Sequence, residues 1–272
     1  MKNEFENVKK TSPLVHNITN YVTVNDCANI LLACGASPIM SDALGEVCDI
    51  ASIATALNIN IGTLNERTIP VMHKAGKLSN ELNHPVVLDP VGAGASALRT
   101  NTALELIENI RFSVIRGNMS EIKTLATGFG NTKGVDADAS DKITEDNIES
   151  FAQTLKEFSK KTGAVIAVSG VIDIVADKDK AIAIFNGNPM MSSVTGTGCQ
   201  LSALIAAFVG ANPDNIFGAT AAAVCAMGLC GEIASDRMGE NAGNASYRNY
   251  IIDAMYNLTP DKLSDGAKYK MI

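Results

Sequence analysis

Short apolar runs rich in β-branched residues alternate along much of the chain with longer stretches in which apolar residues recur at helical spacing. A short apolar run is typical of a buried strand, and the 3.6-residue recurrence is typical of a helix with one buried face. The pattern predicts strands at 37–40, 59–62, 86–89, 113–116 and 165–169. It predicts helices at 23–34, 44–56, 65–82, 99–108 and 118–126.

The alternation of strands and helices indicates right-handed crossovers, and therefore a mainly parallel sheet that is covered on both faces. Two further strands, 172–176 and 181–185, flank a polar turn and predict an antiparallel hairpin that extends the sheet. After Phe185 the pattern is almost wholly helical to the last residue. The stretch 127–141 is rich in Gly, Asp, Asn and Ser and predicts a loop inside the domain. We therefore expect a single α/β domain that spans residues 1–272.

Composition narrows the classes of function. The chain has 272 residues, 46% of them hydrophobic, a net charge of −7 and scattered Lys and Arg residues, which argues against nucleic-acid binding. Its six cysteines form no Cys-x-x-Cys pair, and the polar N-terminus has no hydrophobic signal region. We therefore expect a cytoplasmic protein with reduced thiols. Three isolated histidines offer no metal-ligand spacing, so no zinc site is expected.

The most apolar stretch, 216–234, approaches the length of a membrane span. It is dominated by Ala and Gly, and it contains Glu232. A helix that is apolar on all sides is buried on all sides. The sequence therefore predicts a central or subunit-interface helix and no association with a membrane.

Candidate chemistry lies just after the predicted strands, because ligands of open parallel sheets bind outside the carboxyl ends of the strands. The strand 86–89 ends in Asp89, which is followed by Gly92 and Gly94. One interpretation is an ordinary capped turn. The other is a metal-bound phosphate over the glycine backbone, with Asp89 near the metal.

The next strand ends in Arg116 and leads to Asn118 and Glu121. Asn-x-x-Glu has the spacing of a helix capping box, and taken alone this structural interpretation is favoured. Alternatively, Asn118 and Glu121 hold hydrated Mg²⁺ while Arg116 meets a phosphate as a charged fork. Ser169 and Gly170 end a further strand, and they fit either a nucleotide contact or a plain turn.

The stretch 195–198, Thr-Gly-Thr-Gly, precedes a predicted helix at 199–209. A helix N-terminus carries unpaired N–H groups and partial positive charge, and glycines let a phosphate approach the backbone closely. The alternative is an N-capping Thr with glycines that form a tight turn. No Gly-x-x-x-x-Gly-Lys-Ser/Thr motif occurs, which excludes a P-loop protein.

Together these motifs resemble the hydroxyethylthiazole kinase family. The matching segments are 89–94 (Asp-Pro-Val-Gly-Ala-Gly), 116–121 (Arg-Gly-Asn-x-x-Glu), 196–199 (Gly-Thr-Gly-Cys) and 15–40. The resemblance implies a ribokinase-like, three-layer α/β/α fold and transfer of the ATP γ-phosphate to the primary alcohol of 4-methyl-5-(2-hydroxyethyl)thiazole. That reaction salvages the thiazole half of thiamine. The resemblance also implies a homotrimer with substrate sites at subunit boundaries.

The resemblance further implies roles for individual residues. It places Met40 against the thiazole with Asn25 nearby, and it gives Gly196 a contact with the substrate. It implies that ATP is bound by Arg116, Ser169, Gly198 and Asn118. Glu121 and Asp89 match positions associated with magnesium.

Cys199 occupies the position at which related kinases carry a catalytic Asp. At a helix N-terminus we expect its pKa to fall, so that some thiolate exists at neutral pH. Phosphoryl transfer depends chiefly on positioning and on charge stabilisation, so a weak base suffices. Cys199 is then either a weak base or a small neighbour of the substrate hydroxyl, and we favour a minor acid–base role.

Other classes remain to be compared. A ribokinase-like lyase that dehydrates damaged nicotinamide cofactor should retain Asp at the position of Cys199. A hydrolase with Cys199 as nucleophile needs a His base in reach, and none stands in an obvious partner motif. A nucleotide-sensing oligomer without turnover would share the binding motifs. Phosphorylation of a related alcohol, such as a hydroxymethylpyrimidine, is an alternative within the kinase class.

Overall fold

The computed structural model describes residues 1–127 and 143–272. The strands are β1 (Leu14–Ile18), β2 (Ser37–Met40), β3 (Ala56–Asn60), β4 (Val86–Asp89), β5 (Val114–Asn118), β6 (Val165–Ser169), β7 (Asp173–Ala176), β8 (Ala181–Ile184) and β9 (Tyr269–Met271). The helices are α1 (Lys2–Thr11), α2 (Val24–Cys34), α3 (Val47–Ile53), α4 (Thr68–Glu81), α5 (Ala97–Asn109), α6 (Met119–Thr127), α7 (Ile148–Thr162), α8 (Thr197–Ala211), α9 (Ile216–Asp236), α10 (Asn244–Asn257) and α11 (Pro260–Gly266). The loop predicted at 127–141 lies outside the described residues except for Thr127, the last residue of α6.

The described strands form one sheet in the order β2-β1-β3-β4-β5-β6-β7-β8-β9. Neighbours from β2 to β6 pair in parallel, and the pairs β6–β7, β7–β8 and β8–β9 are antiparallel. The predicted parallel sheet and its hairpin extension are therefore confirmed. The prediction that the chain is almost wholly helical after Phe185 is wrong in one respect, because β9 returns to the sheet and pairs with β8.

Helical layers cover both faces of the sheet. Successive side chains of a strand point to opposite faces, so each buried strand contributes to both cores. In β4, Val87 packs into the core formed with α2, α8, α9 and α10, whereas Val86 and Leu88 pack into the core formed with α4, α5, α6 and α7. This is the expected three-layer α/β/α architecture.

α9 is a core helix. By length and composition it could cross a membrane, but 72% of its most apolar window is buried in the protein. It packs against α8 and α10. The structure thus confirms the burial predicted for 216–234.

Candidate active site

The carboxyl ends of the parallel strands meet the first turn of α8 at one edge of the sheet. The Sγ of Cys199 lies 3.1 Å from Nδ2 of Asn20, which follows β1, and 3.3 Å from Nδ2 of Asn60, the last residue of β3. Ser202, one turn further along α8, donates a hydrogen bond of 2.8 Å to Oδ2 of Asp89 at the end of β4. The strand ends and the helix N-terminus therefore form one site, as the sequence predicts.

The N-terminal end of α8 is open to solvent. Thr195 is exposed, and residues 196–199 are partly exposed. The N-cap residue is Gly196, at φ +86°, and no side chain makes a capping hydrogen bond to this helix. The alternative of an N-capping Thr is therefore wrong. The described structure leaves the first N–H groups of α8 without a side-chain cap, as an anion-binding helix terminus requires.

Arg116 lies against this helix end. Its guanidinium is 3.8 Å (Nη1) from Oδ2 of Asp89, and its Nη2 donates to Oγ of Ser169. A Cβ on Gly198 would lie 2.5 Å from Nη1 of Arg116, so only glycine fits there without displacing the guanidinium. Arg116 is largely buried, and its Nε has no partner within residues 1–127 and 143–272. The structure thus brings together three of the residues expected to bind ATP.

Asp89 is a fully buried carboxylate at the end of β4. Its Oδ2 accepts hydrogen bonds from Nδ2 of Asn60 at 2.7 Å and from Oγ of Ser202 at 2.8 Å. Its Oδ1 has no partner among the described residues. Burial raises the pKa of Asp89, while Arg116 and the two hydrogen bonds oppose the rise. A buried carboxylate oxygen without a donor is stabilised by a cation.

Glu121 both caps α6 and faces the site. Its Oε2 accepts the N–H of Asn118, and Oδ1 of Asn118 accepts the N–H of Glu121, both at 2.8 Å. This reciprocal pair confirms the capping interpretation. Its Oε1 accepts the N–H of Gly92 at 2.8 Å. Burial, and then the charge of Asp89, raise the pKa of Glu121 to about 7. Each oxygen retains a second lone pair, so the cap does not prevent Glu121 from binding a cation.

The thiol of Cys199 departs from expectation. Burial raises its pKa, and the nearby charge of Asp89 raises it further, while hydrogen bonds from Thr23, Asn20 and Asn60 oppose the rise. The expected fall in the pKa of Cys199 is therefore wrong. Loss of solvent outweighs the favourable helix terminus, so Cys199 is a neutral thiol at neutral pH.

The three residues expected to contact the substrate lie in different environments. Met40, the last residue of β2, is half-buried at the same sheet edge and packs against the core beneath α8. A Cβ on Gly196 would collide with the side chain of Thr23, at the start of α2. Asn25 is exposed on the first turn of α2, where its side chain bonds Asn29. The amides that the structure places against Cys199 are instead those of Asn20 and Asn60.

Sequence analysis missed three polar residues of the site, Asn20, Asn60 and Ser202. The signal for Asn60 was present, because a polar residue that ends an apolar strand faces the ligand edge of a parallel sheet. The predicted strand 59–62 began three residues late, and it made Asn60 an interior residue.

Two carboxylates, Asp89 and Glu121, are the acidic groups that the described structure brings to this site. No group of three or more His, Cys, Asp or Glu side chains suited to a metal ion occurs in residues 1–127 and 143–272. Magnesium usually takes one or two carboxylates and completes its shell with water and substrate phosphates. The pair therefore suits an ion that arrives with a nucleotide.

The fold is that of the ribokinase-like class. The pyridoxal kinase from Staphylococcus aureus, solved in complex with pyridoxal, aligns with 96% of this chain and 98% of its own, with a TM-score of 0.60. At 13% sequence identity, this likeness shows the fold alone.

Nearer relatives are more specific. The structure of hydroxyethylthiazole kinase from Pyrococcus horikoshii aligns with a TM-score of 0.88 at 34% identity, covering 99% of this chain and 98% of that chain. The hydroxyethylthiazole kinase of Clostridium acetobutylicum is 62% identical over 270 residues, which is 99% of each chain. The model of the hydroxyethylthiazole kinase family matches residues 5–261. The chain belongs to this family, and it is therefore a phosphotransferase.

Proposed function

We propose that the protein transfers the γ-phosphate of ATP to the primary hydroxyl of 4-methyl-5-(2-hydroxyethyl)thiazole, with magnesium, at the N-terminus of α8. The proposal rests above all on the close approach of Gly198 to Arg116, next to Asp89, whose Oδ1 has no hydrogen-bond partner among the described residues. A polyanion and a cation can meet at that point, next to a thiol and amides that suit an alcohol. The product would enter the salvage of thiamine.

Arg116, Ser169 and the backbone at Gly198 bind the phosphates of ATP in this proposal. The guanidinium is held by Ser169 and Asp89, so it meets the phosphate already oriented. Such preorganised positive charge stabilises a loose phosphoryl-transfer transition state without further rearrangement. Asn118 lies at the end of β5 beside Arg116, and its Oδ1 caps α6. In the proposal it is a further residue of the ATP site.

Asp89 and Glu121 fit a magnesium site. The fit rests on the buried Oδ1 of Asp89, which has no partner among the described residues, and on the second lone pairs of Glu121. A magnesium ion held by these two carboxylates would supply positive charge that offsets the charge of the ATP phosphates. The chain's own contribution is to fix both carboxylates, through Asn60 and Ser202 for Asp89 and through backbone N–H groups for Glu121.

The acceptor alcohol lies beside Cys199 in the proposal. Cys199 is a neutral thiol that orients the hydroxyl as a hydrogen-bond partner, and only its minor thiolate form would accept the proton. Met40 and Gly196 contact the thiazole, and Asn25 contributes only if the substrate extends over the exposed first turn of α2. The observed position of Asn20 makes it a better candidate for the amide contact.

We further propose a cytoplasmic homotrimer with active sites at subunit boundaries. Exposed apolar side chains follow two residues of the site in sequence. Tyr21 and Val22 come directly after Asn20, and Leu44 comes shortly after Met40. A second subunit would cover such side chains. The cytoplasmic location rests on the sequence, in which no Cys-x-x-Cys pair occurs.

The proposal is tested by incubating the purified protein with ATP, Mg²⁺ and a panel of hydroxylated thiazoles and pyrimidines. We expect ADP release to depend on the thiazole alcohol, with mass spectrometry showing its monophosphate. ADP release with a pyrimidine alcohol and not with the thiazole alcohol would show that the acceptor is a pyrimidine alcohol. ADP release with hydrated nicotinamide cofactor alone would favour the lyase.

A further inference from the structure

Asn60 connects more parts of the site than any other single amide described above. Its Nδ2 donates to Oδ2 of Asp89 at 2.7 Å and to Sγ of Cys199 at 3.3 Å. Its Oδ1 accepts Nδ2 of Asn20 at 3.0 Å and the N–H of Gly62 at 2.9 Å. Asn60 is 2% exposed, so it supports the reacting groups without facing the substrate.

The orientation of the Asn60 amide is fixed by chemistry. A backbone N–H can only donate, so the atom facing Gly62 must be the oxygen. The Nδ2 therefore faces Asp89 and Cys199. The amide of Asn20 is fixed in the same way, because its Oδ1 accepts the N–H of Thr23 at 3.1 Å. The two amides form a chain of hydrogen bonds in one direction, in which each bond polarises the next.

Asn58 provides a comparison within the same strand. It lies two residues before Asn60, on the same face of β3, and it is fully buried. Its Nδ2 donates to Oδ1 of Asn17 at 3.0 Å, and its Oδ1 has no partner among the described residues. None of its described bonds reaches Asp89 or Cys199. Asn58 thus shares the burial and residue type of Asn60 without its connections.

We infer that Asn60 is a positioning residue for phosphoryl transfer, which holds the Asp89 carboxylate and the Cys199 thiol in fixed relation; the inference rests on the proposed function. Asp89 lies where the phosphate and magnesium are expected, and Cys199 lies where the alcohol is expected. Without Asn60, Oδ2 of Asp89 keeps its hydrogen bond from Ser202 and its ion pair with Arg116, and Cys199 loses one of two amide donors. Both side chains then gain freedom to rotate away from the productive geometry.

The test compares Asn60→Ala with Asn58→Ala and combines Asn60→Ala with Cys199→Ala. We expect Asn60→Ala to lower kcat about 30-fold or more, with both KM values within about threefold, since it removes positioning and no substrate contact. Asn58→Ala should keep kcat within about twofold. In the Cys199→Ala protein, Asn60→Ala should lower kcat by less than about tenfold, because one of the two positioned groups is already missing.

An equal loss of kcat in both backgrounds overturns the inference, as does a loss shared by Asn58→Ala. Asn60→Ser replaces Asn60→Ala in the same cycle if the alanine variant does not fold. A crystal structure of the Asn60 variant gives a readout independent of turnover. We expect Asp89 or Cys199 to change rotamer, and unchanged side chains would refute the positioning role. If the protein does not phosphorylate the thiazole alcohol, only the proposed function is refuted. The comparison of the Asn60 and Cys199 variants is then measured with the alcohol that the protein does phosphorylate.

Discussion

The guanidinium of Arg116 and the backbone of Gly198 approach so closely that a Cβ on Gly198 would come within 2.5 Å of Nη1. Arg116 stands on β5 and Gly198 in the first turn of α8, so this approach joins the sheet edge to the helix end. Any side chain at position 198 would therefore have to displace this guanidinium.

Gly198→Ala should weaken ATP binding, because the added methyl group displaces Arg116. We expect the KM for ATP to rise about tenfold or more, while the KM for the alcohol changes less. Gly239→Ala is a matched control, because its added Cβ would meet nothing within 4 Å. An unchanged KM for ATP in Gly198→Ala would show that Arg116 does not bind the nucleotide.

Glu121→Gln should raise the magnesium concentration needed for half-maximal activity by about tenfold or more, because an amide is a poorer ligand for Mg²⁺. It also disturbs the cap of α6, so a control for lost capping is needed. Thr259→Ala removes the N-cap bond of α11, which runs from the N–H of Lys262 at 3.2 Å. If both variants titrate with magnesium like wild type, Glu121 is only a cap.

Cys199→Asp should keep or raise turnover. A carboxylate accepts a proton more readily than a neutral thiol, and it would accept the hydrogen bonds that Asn20 and Asn60 give to Cys199. Cys199→Ala, which retains no acceptor, should be slower than either. Turnover is measured at saturating substrates, and circular dichroism monitors folding. A large loss in a folded Cys199→Asp protein contradicts the weak-base account.

Asp173 should make stability depend on pH. Its Oδ1 accepts the N–H of Gly170 at 2.8 Å, and burial raises its pKa from 3.8 to about 7. A raised pKa in the folded state means that the ionised carboxylate is less favourable in the folded protein than in the unfolded protein. Below pH 4 Asp173 is protonated in both states, so it does not lower the free energy of unfolding. As the pH rises to 7 the unfolded state ionises first, and the free energy of unfolding falls. Asp173→Asn keeps the shape and the acceptor without the charge.

We therefore expect Asp173→Asn to match the thermal midpoint of wild type at pH 4 and to exceed it at pH 8 by about 2 °C or more. Thermal unfolding followed by circular dichroism between these values measures the difference. Asp177→Asn is a control, since Asp177 also accepts backbone N–H groups but sits in the exposed turn between β7 and β8. A midpoint difference that does not grow with pH would refute the raised pKa.

The sheet could be predicted from the sequence where a strand begins with an uninterrupted run of apolar residues. β4 and β6 were placed at their observed bounds and β5 within two residues, because both faces of a central parallel strand are buried. β1 was missed and β3 was shifted, because polar residues interrupt their apolar runs, His16 and Asn17 in β1 and Asn58 in β3. These polar residues are buried and paired across strands, which local patterns do not record.

Only part of the candidate site could be predicted, because local sequence patterns do not record contacts between distant residues. The convergence of Asp89, Arg116 and Ser169 follows from the rule that parallel strands end at one edge. The Asn20–Asn60 chain depends on contacts between residues 40 positions apart, which the sequence pattern does not contain. The pKa of Cys199 was predicted with the wrong sign, because the helix N-terminus is visible in sequence whereas the depth of burial is not.

The helix whose N-terminus is the proposed anion site is also the helix around which one core is assembled. α8 packs on β1, β3 and β4 from one side and on α1, α2 and α9 from the others. These contacts hold α8 between the sheet and its neighbouring helices. A redesign of the enzyme for a different alcohol should leave α8 unchanged. It should vary the side chains that follow β1 and β2, where substitutions disturb the packing of the core least.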